Sequence, residues 1–108
     1  MPKYLLIESR DPFESCDVQY IYELAAGLVR AGNEVTLFLV QNGVLPARRS
    51  PTTEALASLS SAGVEILADD FSLRERGITA ERLGGGVNPA PIERVIDQLA
   101  EGRKVLWH

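Results

Sequence analysis

The sequence predicts one three-layer α/β/α domain on a mostly parallel sheet of four or five strands. Strand-like and helix-like stretches alternate along all 108 residues, at spacings that suit right-handed βαβ crossovers. The first strand-like stretch, KYLLIES from Lys3 to Ser9, is almost continuously apolar, as strands of a parallel sheet with both faces covered are. The next stretch carries apolar residues at three- and four-residue steps, the mark of a helix laid on such a sheet.

That helix has Val18, Ile21, Tyr22, Ala25, Leu28 and Val29 on one stripe, Ser15 or Asp17 as its expected N-cap, and Gly32 as its stop. Between strand and helix, Arg10 to Ser15 form a polar loop around the turn-forming pair Asp11-Pro12. EVTLFLV, Glu34 to Val40, is a second strand rich in β-branched and aromatic residues, ended by Gln41-Asn42-Gly43. Ser50-Pro51 fits an N-cap followed by proline at the first helical position. The helix it opens bears Ala55, Leu56 and Leu59 and ends near Gly63. A third strand starting at Val64 breaks on Asp69 and Asp70, and Ser72 to Glu75 then has capping-box spacing before Gly77. Thr79 is placed as the cap of a half-turn, Ala80 to Arg82, and Leu83 to Val87 as a short fourth strand weakened by Gly84 to Gly86. Pro91 opens a last helix striped with Ile92, Val95, Ile96 and Leu99, which stops at Gly102. Lys104 to Trp107 form the final strand, with His108 at its carboxyl end.

The totals narrow the function. A net charge of -4 argues against nucleic acid as a partner, since a binder normally shows a basic face. No run approaches the roughly 18 apolar residues of a membrane span, and Met1-Pro2-Lys3 leads straight into the first strand with no signal-peptide layout. The single cysteine cannot close an internal disulfide, which fits a reducing, cytoplasmic setting.

If the first, third and fifth strands are parallel, Glu8, Ser9, Cys16, Asp69, Asp70 and His108 gather on one polar rim. Open α/β sheets bind ligands outside the carboxyl ends of their strands. Cys16 stands at the start of the first helix, where the dipole and free amides favour a thiolate. The adjacent Asp17 opposes that, and a lone cysteine often serves as a small buried filler. Asp69 and Asp70 with Glu8 or Asp11 have the chemistry of a hard-cation cluster, as in the receiver domains of response regulators. Those domains also need a lysine where this chain has Trp107-His108. The plainer reading has one aspartate capping the turn Phe71 to Arg76 and the other solvated, so no metal or cofactor is expected. His108 is expected to fray into solvent. GGGVNP lacks the Lys-Ser/Thr of a phosphate loop and the glycine spacing of a dinucleotide site, and reads as a tight bend.

Four pieces together resemble the DsrE/DsrF-like family, which includes the Tus sulfur-relay subunits. These are the first strand with its Asp11-Pro12 loop and helix, and Gly32-Asn-Glu-Val-Thr-Leu-Phe38 with Val44 soon after. The others are Val64 to Ile78, ending Leu73-Arg-Glu-Arg-Gly-Ile78, and the closing Lys104-Val-Leu-Trp107. The resemblance implies a three-layer fold with the first strand inside the sheet, and assembly into homo- or hetero-trimers or hexamers of DsrE-type subunits. It also implies a persulfide-bearing cysteine after the third strand, seven residues before the arginine of the Arg76-Gly77 pair. That position is Asp69 here, and a carboxylate holds no sulfane sulfur.

Two readings follow. In one, the chain is a non-catalytic binding or assembly subunit, with Glu8, Ser9, Asp11, Asp69, Asp70 and Arg76 as the candidate contacts for a partner or small ligand. In the other, Cys16 takes over as a sulfur carrier and exchanges with a sulfur-donor or acceptor protein. That second reading requires the twin-aspartate turn and the thiol loop to open onto a shared pocket mouth. No apolar stripe is visibly left over in the sequence to mark an assembly face.

Overall fold

The computed structural model describes residues 2–50 and 54–108. Five strands, β1 (Lys3–Glu8), β2 (Glu34–Leu39), β3 (Glu65–Asp69), β4 (Val87–Ala90) and β5 (Lys104–Trp107), form one sheet in the order β4-β3-β2-β1-β5. Every pairing is parallel, with Leu6 opposite Leu37 and Leu106, and Ile66 opposite Val87. The helices are α1 (Asp17–Arg30), α2 (Glu54–Ala62), α3 (Asp70–Glu75) and α4 (Glu93–Ala100), with 3-10 segments at Gln41–Ala47 and Ala80–Arg82. Among the described residues no helix is long and apolar enough to cross a membrane.

β1 lies between β2 and β5, which explains its unbroken apolar run, since side chains on both of its faces are buried. On one face, Leu6, Leu37, Leu39, Ile66 and Ala68 pack with Val18, Tyr22 and Ala25 of α1 and Leu56 and Leu59 of α2. On the other, Leu5, Ile7, Phe38, Val40 and Leu67 pack with Val95 of α4.

Several boundaries move for local reasons. The cap position of α1 is Cys16, not Ser15 or Asp17. The Ser15 amide is already bonded to the Asp11 carbonyl at 3.0 Å, and Asp17 sits inside the first turn. The fourth strand begins where its expected span ended, at Val87. Gly84 to Gly86 make the turn before it, closed by the Val87 amide on the Gly84 carbonyl. Gly86 takes φ +86° against Ser60, where a side chain would collide. Pro89 is tolerated within β4 because that strand lies at the sheet edge. The expected Ser50-Pro51 helix start runs into residues 51–53, outside the described residues.

The largest correction concerns α4. Its stripe was expected to face the core, yet only Val95 does so, beside Gln98; Ile92, Ile96 and Leu99 stand 46%, 60% and 51% exposed. Trp107 on the edge strand β5 is 71% exposed. An apolar stripe is therefore left over after all. The amphipathic spacing made it visible in the sequence, but nothing there said which helix face meets the sheet.

Candidate functional site

Parallel strands bring all five carboxyl ends to one rim, where two polar clusters form. They stand at the ends of β1 and β3, on either side of β2, so about two strand spacings of roughly 4.8 Å separate them.

The β1 cluster is built around Glu8, which is fully buried. Its carboxylate accepts the Arg10 amide at 3.1 Å and lies 2.9 and 3.0 Å from Nδ1 of His108. His108 is not frayed. Its amide donates to the Ile7 carbonyl, and its own carbonyl accepts both the amide and the hydroxyl of Ser9. When Nδ1 carries a hydrogen it donates to this carboxylate, which leaves Nε2 as the outward nitrogen. Asp11, also buried, accepts the Phe13 amide at 3.2 Å and closes the β1–α1 loop through its carbonyl. The hydroxyl of Tyr22 is buried beneath, with no hydrogen-bond partner among the described residues. Burial, and then the charges of Glu8 and Asp11, push its pKa well above the ordinary value. Tyr22 and the Glu8–His108 pair are the features that residue patterns missed. A buried tyrosine on the helix that follows a strand ending in glutamate is the faint signal that was available.

The β3 cluster centres on Asp69. Its carboxylate accepts the amide of Ser72 at 3.1 Å and the Ser72 hydroxyl at 2.7 Å, making Asp69 the N-cap of α3. The cap thus lies three residues before Ser72, the cap of the expected Ser72-to-Glu75 box. The Ser72 hydroxyl accepts the Gln41 amide at 2.9 Å. Arg76 is committed too: Nε and Nη2 both donate to Asn42 Oδ1, and Nη1 donates to the Ser72 carbonyl. Gly43 is required to be glycine, because a Cβ there would run into the Glu8 carbonyl oxygen.

Two cavities open beside these clusters. One of about 510 Å³ is lined by Asp11, Phe13 and Glu81 together with Arg48, Arg49 and Arg82. The other, about 620 Å³, is lined by Asp70, Leu73, Arg74, Ile78 and Pro89 among others. Asp70 thus reaches an open groove, whereas Asp69 lines neither cavity. Cys16 is exposed and lines neither cavity either. Among the described residues no group of three or more His, Cys, Asp or Glu side chains is arranged to hold a metal ion.

The model of the DsrE/DsrF-like family matches residues 3–108. The chain belongs to that family, whose members are related to sulfur-relay proteins. Among solved structures, the ychN protein from E. coli superposes on this DsrE/DsrF-like chain with a TM-score of 0.90, at 20% identity over 100% of both chains. MTH1491 from Methanobacterium thermoautotrophicum does so with 0.88, at 18% identity over 100% of both. BT1422 from Bacteroides thetaiotaomicron follows with 0.78, at 16% identity over 97% of this chain and 94% of its own. No curated protein matches the chain. The likenesses are to the fold: the five-stranded parallel sheet with helices on both faces superposes on each of these proteins.

Proposed function

We propose that this protein is a non-catalytic binding or assembly subunit of the DsrE type, working in the cytoplasm as a trimer or hexamer with copies of itself or with related subunits. The observation that carries this reading is the uncovered apolar surface of α4, Ile92, Ile96 and Leu99, with Trp107 on β5. A soluble chain that leaves such residues in one helical stripe has a reason to cover them, and DsrE-family proteins often oligomerise. The chemistry of Asp69 agrees. It stands where the resemblance puts the sulfur-bearing cysteine, and it is spent on capping α3 rather than presented to a reactant. Asp70, on the neighbouring groove, is the aspartate left for a partner or small ligand.

Light scattering at micromolar concentration tests this. The expected mass is three or six times the 11.8 kDa of the chain, and Ile96→Glu with Leu99→Glu should reduce it to that of one chain. A wild-type monomer would sink the reading.

The second reading, a sulfur carrier exchanging with a donor or acceptor protein, lacks the shared pocket mouth it requires, since Asp70 lines a groove that Cys16 does not. It rests on one remaining observation. Cys16 is exposed at the cap position of α1, where no side chain caps the free amides. Incubation with a persulfide donor followed by intact mass measurement decides it. A gain of about 32 Da that disappears in Cys16→Ser supports the carrier, and unmodified protein removes it.

A further inference from the structure

The 510 Å³ cavity poses a problem that neither reading above addresses, because it concentrates arginines on an acidic protein. Arg48 and Leu83 form an isolated antiparallel bridge. The Gly84 amide donates to the Ala47 carbonyl at 2.8 Å, and the Arg49 amide donates to the Arg82 carbonyl at 2.6 Å. In that register Arg49 and Arg82 stand directly opposite each other. Like charges so placed destabilise a strand pair. Ordinarily a carboxylate in direct contact relieves the repulsion.

Among the described residues, no acid forms an ion pair with Arg48, Arg49 or Arg82. Arg48 gives only its Nε, to the Leu45 carbonyl at 3.2 Å. Two acids also line the cavity, and each is hydrogen-bonded within its own loop rather than paired with an arginine. Asp11 accepts the Phe13 amide. Glu81 is held below the usual carboxylate range by its own backbone amide and then by the Thr79 side chain. The cavity wall therefore offers guanidinium donors that no acid among the described residues pairs with.

Phe13 supplies a second, independent feature. It lines the same cavity and is 78% exposed on a loop whose Phe13, Glu14 and Ser15 amides all donate to Asp11. A ring held in water beside three guanidinium groups matches a ligand with a flat face and an anionic head. Guanidinium forks recognise phosphate oxygens bidentately, and an aromatic side chain stacks on a base or other planar ring. The volume lies within the range of cavities that hold small organic ligands.

We infer that this cavity binds a small phosphate monoester carrying an aromatic ring, the class that includes mononucleotides. The phosphate sits on Arg49, Arg82 and Arg48, and the ring lies against Phe13. The site is separate from the α4 surface, so its failure would leave the assembly reading untouched.

Calorimetric titration with AMP, ribose 5-phosphate and adenosine tests the inference. AMP should bind saturably, and ribose 5-phosphate about tenfold more weakly for want of the ring. Adenosine should give no measurable heat. Arg49→Gln and Arg82→Gln should each weaken AMP by about tenfold. Phe13→Ala should weaken AMP and leave ribose 5-phosphate unchanged. The unliganded arginine variants should melt at or above the wild-type temperature, since a repulsion has been removed. The inference is overturned by absence of saturable AMP binding at millimolar concentration, or by unaltered binding in the double arginine variant. Adenosine or ribose 5-phosphate binding as tightly as AMP also overturns it. So does a lower melting temperature in the unliganded variants, which would show that the arginines hold the loops together.

Discussion

The two faces of the sheet are covered in different ways. Under α1 and α2 the interface is apolar apart from the Tyr22 hydroxyl, with Val18, Tyr22, Ala25, Leu56 and Leu59 filling the space above Leu6, Leu37 and Ile66. Under α4 it is partly a hydrogen-bond network. The Thr36 hydroxyl donates to Glu65 at 2.8 Å and accepts from Gln98 at 3.2 Å and from Arg103 at 3.1 Å. Arg103 goes on to Glu34 and Glu101. One helix is thus seated by close packing and the other largely by directional bonds, with its most apolar side turned outward. Helical amphipathicity shows that a face will be covered, and leaves open whether this chain or another covers it.

The largest effect should separate the faces directly. Leu37→Ala removes a fully buried side chain and should cost about 2–5 kcal/mol in urea unfolding, at any protein concentration. Ile96→Ser with Leu99→Ser should instead remove only the part of the stability that rises with concentration, because a contact between chains contributes by mass action. A concentration-independent loss as large as that of Leu37→Ala would erase the distinction. Next in size, Thr36→Val strands the groups that converge on one hydroxyl and should cost about 1–3 kcal/mol, with hydrogen exchange accelerated in α4 but not in α1. A uniform change in both helices would mean that the network does not seat α4.

Asp69→Ala should cost about 1–2 kcal/mol, the price of a helix cap, visible as a lower melting temperature. No loss would show that Ser72 caps α3 without it. The smallest effect belongs to Tyr22→Phe. Deleting an unpartnered buried hydroxyl should leave stability near neutral pH within about 0.5 kcal/mol or raise it. The sign at high pH is definite. The folded protein holds the phenolic proton more tightly than the unfolded chain does, so this contribution is intact below the ordinary tyrosine value of 10.0 and is lost as the pH rises past it. Wild type should therefore lose more stability than Tyr22→Phe between pH of about 8 and about 11. Parallel profiles would place the phenol in contact with water.

The fold was legible because its signals are local. Continuous apolar runs mark interior parallel strands, and Gly32, Gly63 and Gly102 fall just past α1, α2 and α4. The rim was legible in outline, since parallel strands oblige Glu8, Asp69 and His108 to share an end. What the residues do there was not. His108 is fixed by Glu8 across a strand pairing that joins opposite ends of the sequence, and the arginine cavity depends on a bridge between Arg48 and Leu83. Contacts between positions so far apart leave no periodicity to read. Cap positions slipped for another reason: several residues of capping type stand close together at Ser15 to Asp17 and at Asp69 to Ser72, and at α1 no side chain makes the cap at all.

Gln41 to Gly43 tie the two rim clusters into one mechanical unit. The Gln41 amide is bonded to the serine under the β3 cap, Asn42 grips the arginine at the end of α3, and Gly43 rests on the backbone of the buried glutamate. A push delivered to either cluster is therefore delivered to both. The same segment runs on through Leu45 into the wall of the arginine cavity, so an occupant there would lean on the strut that spaces the whole rim.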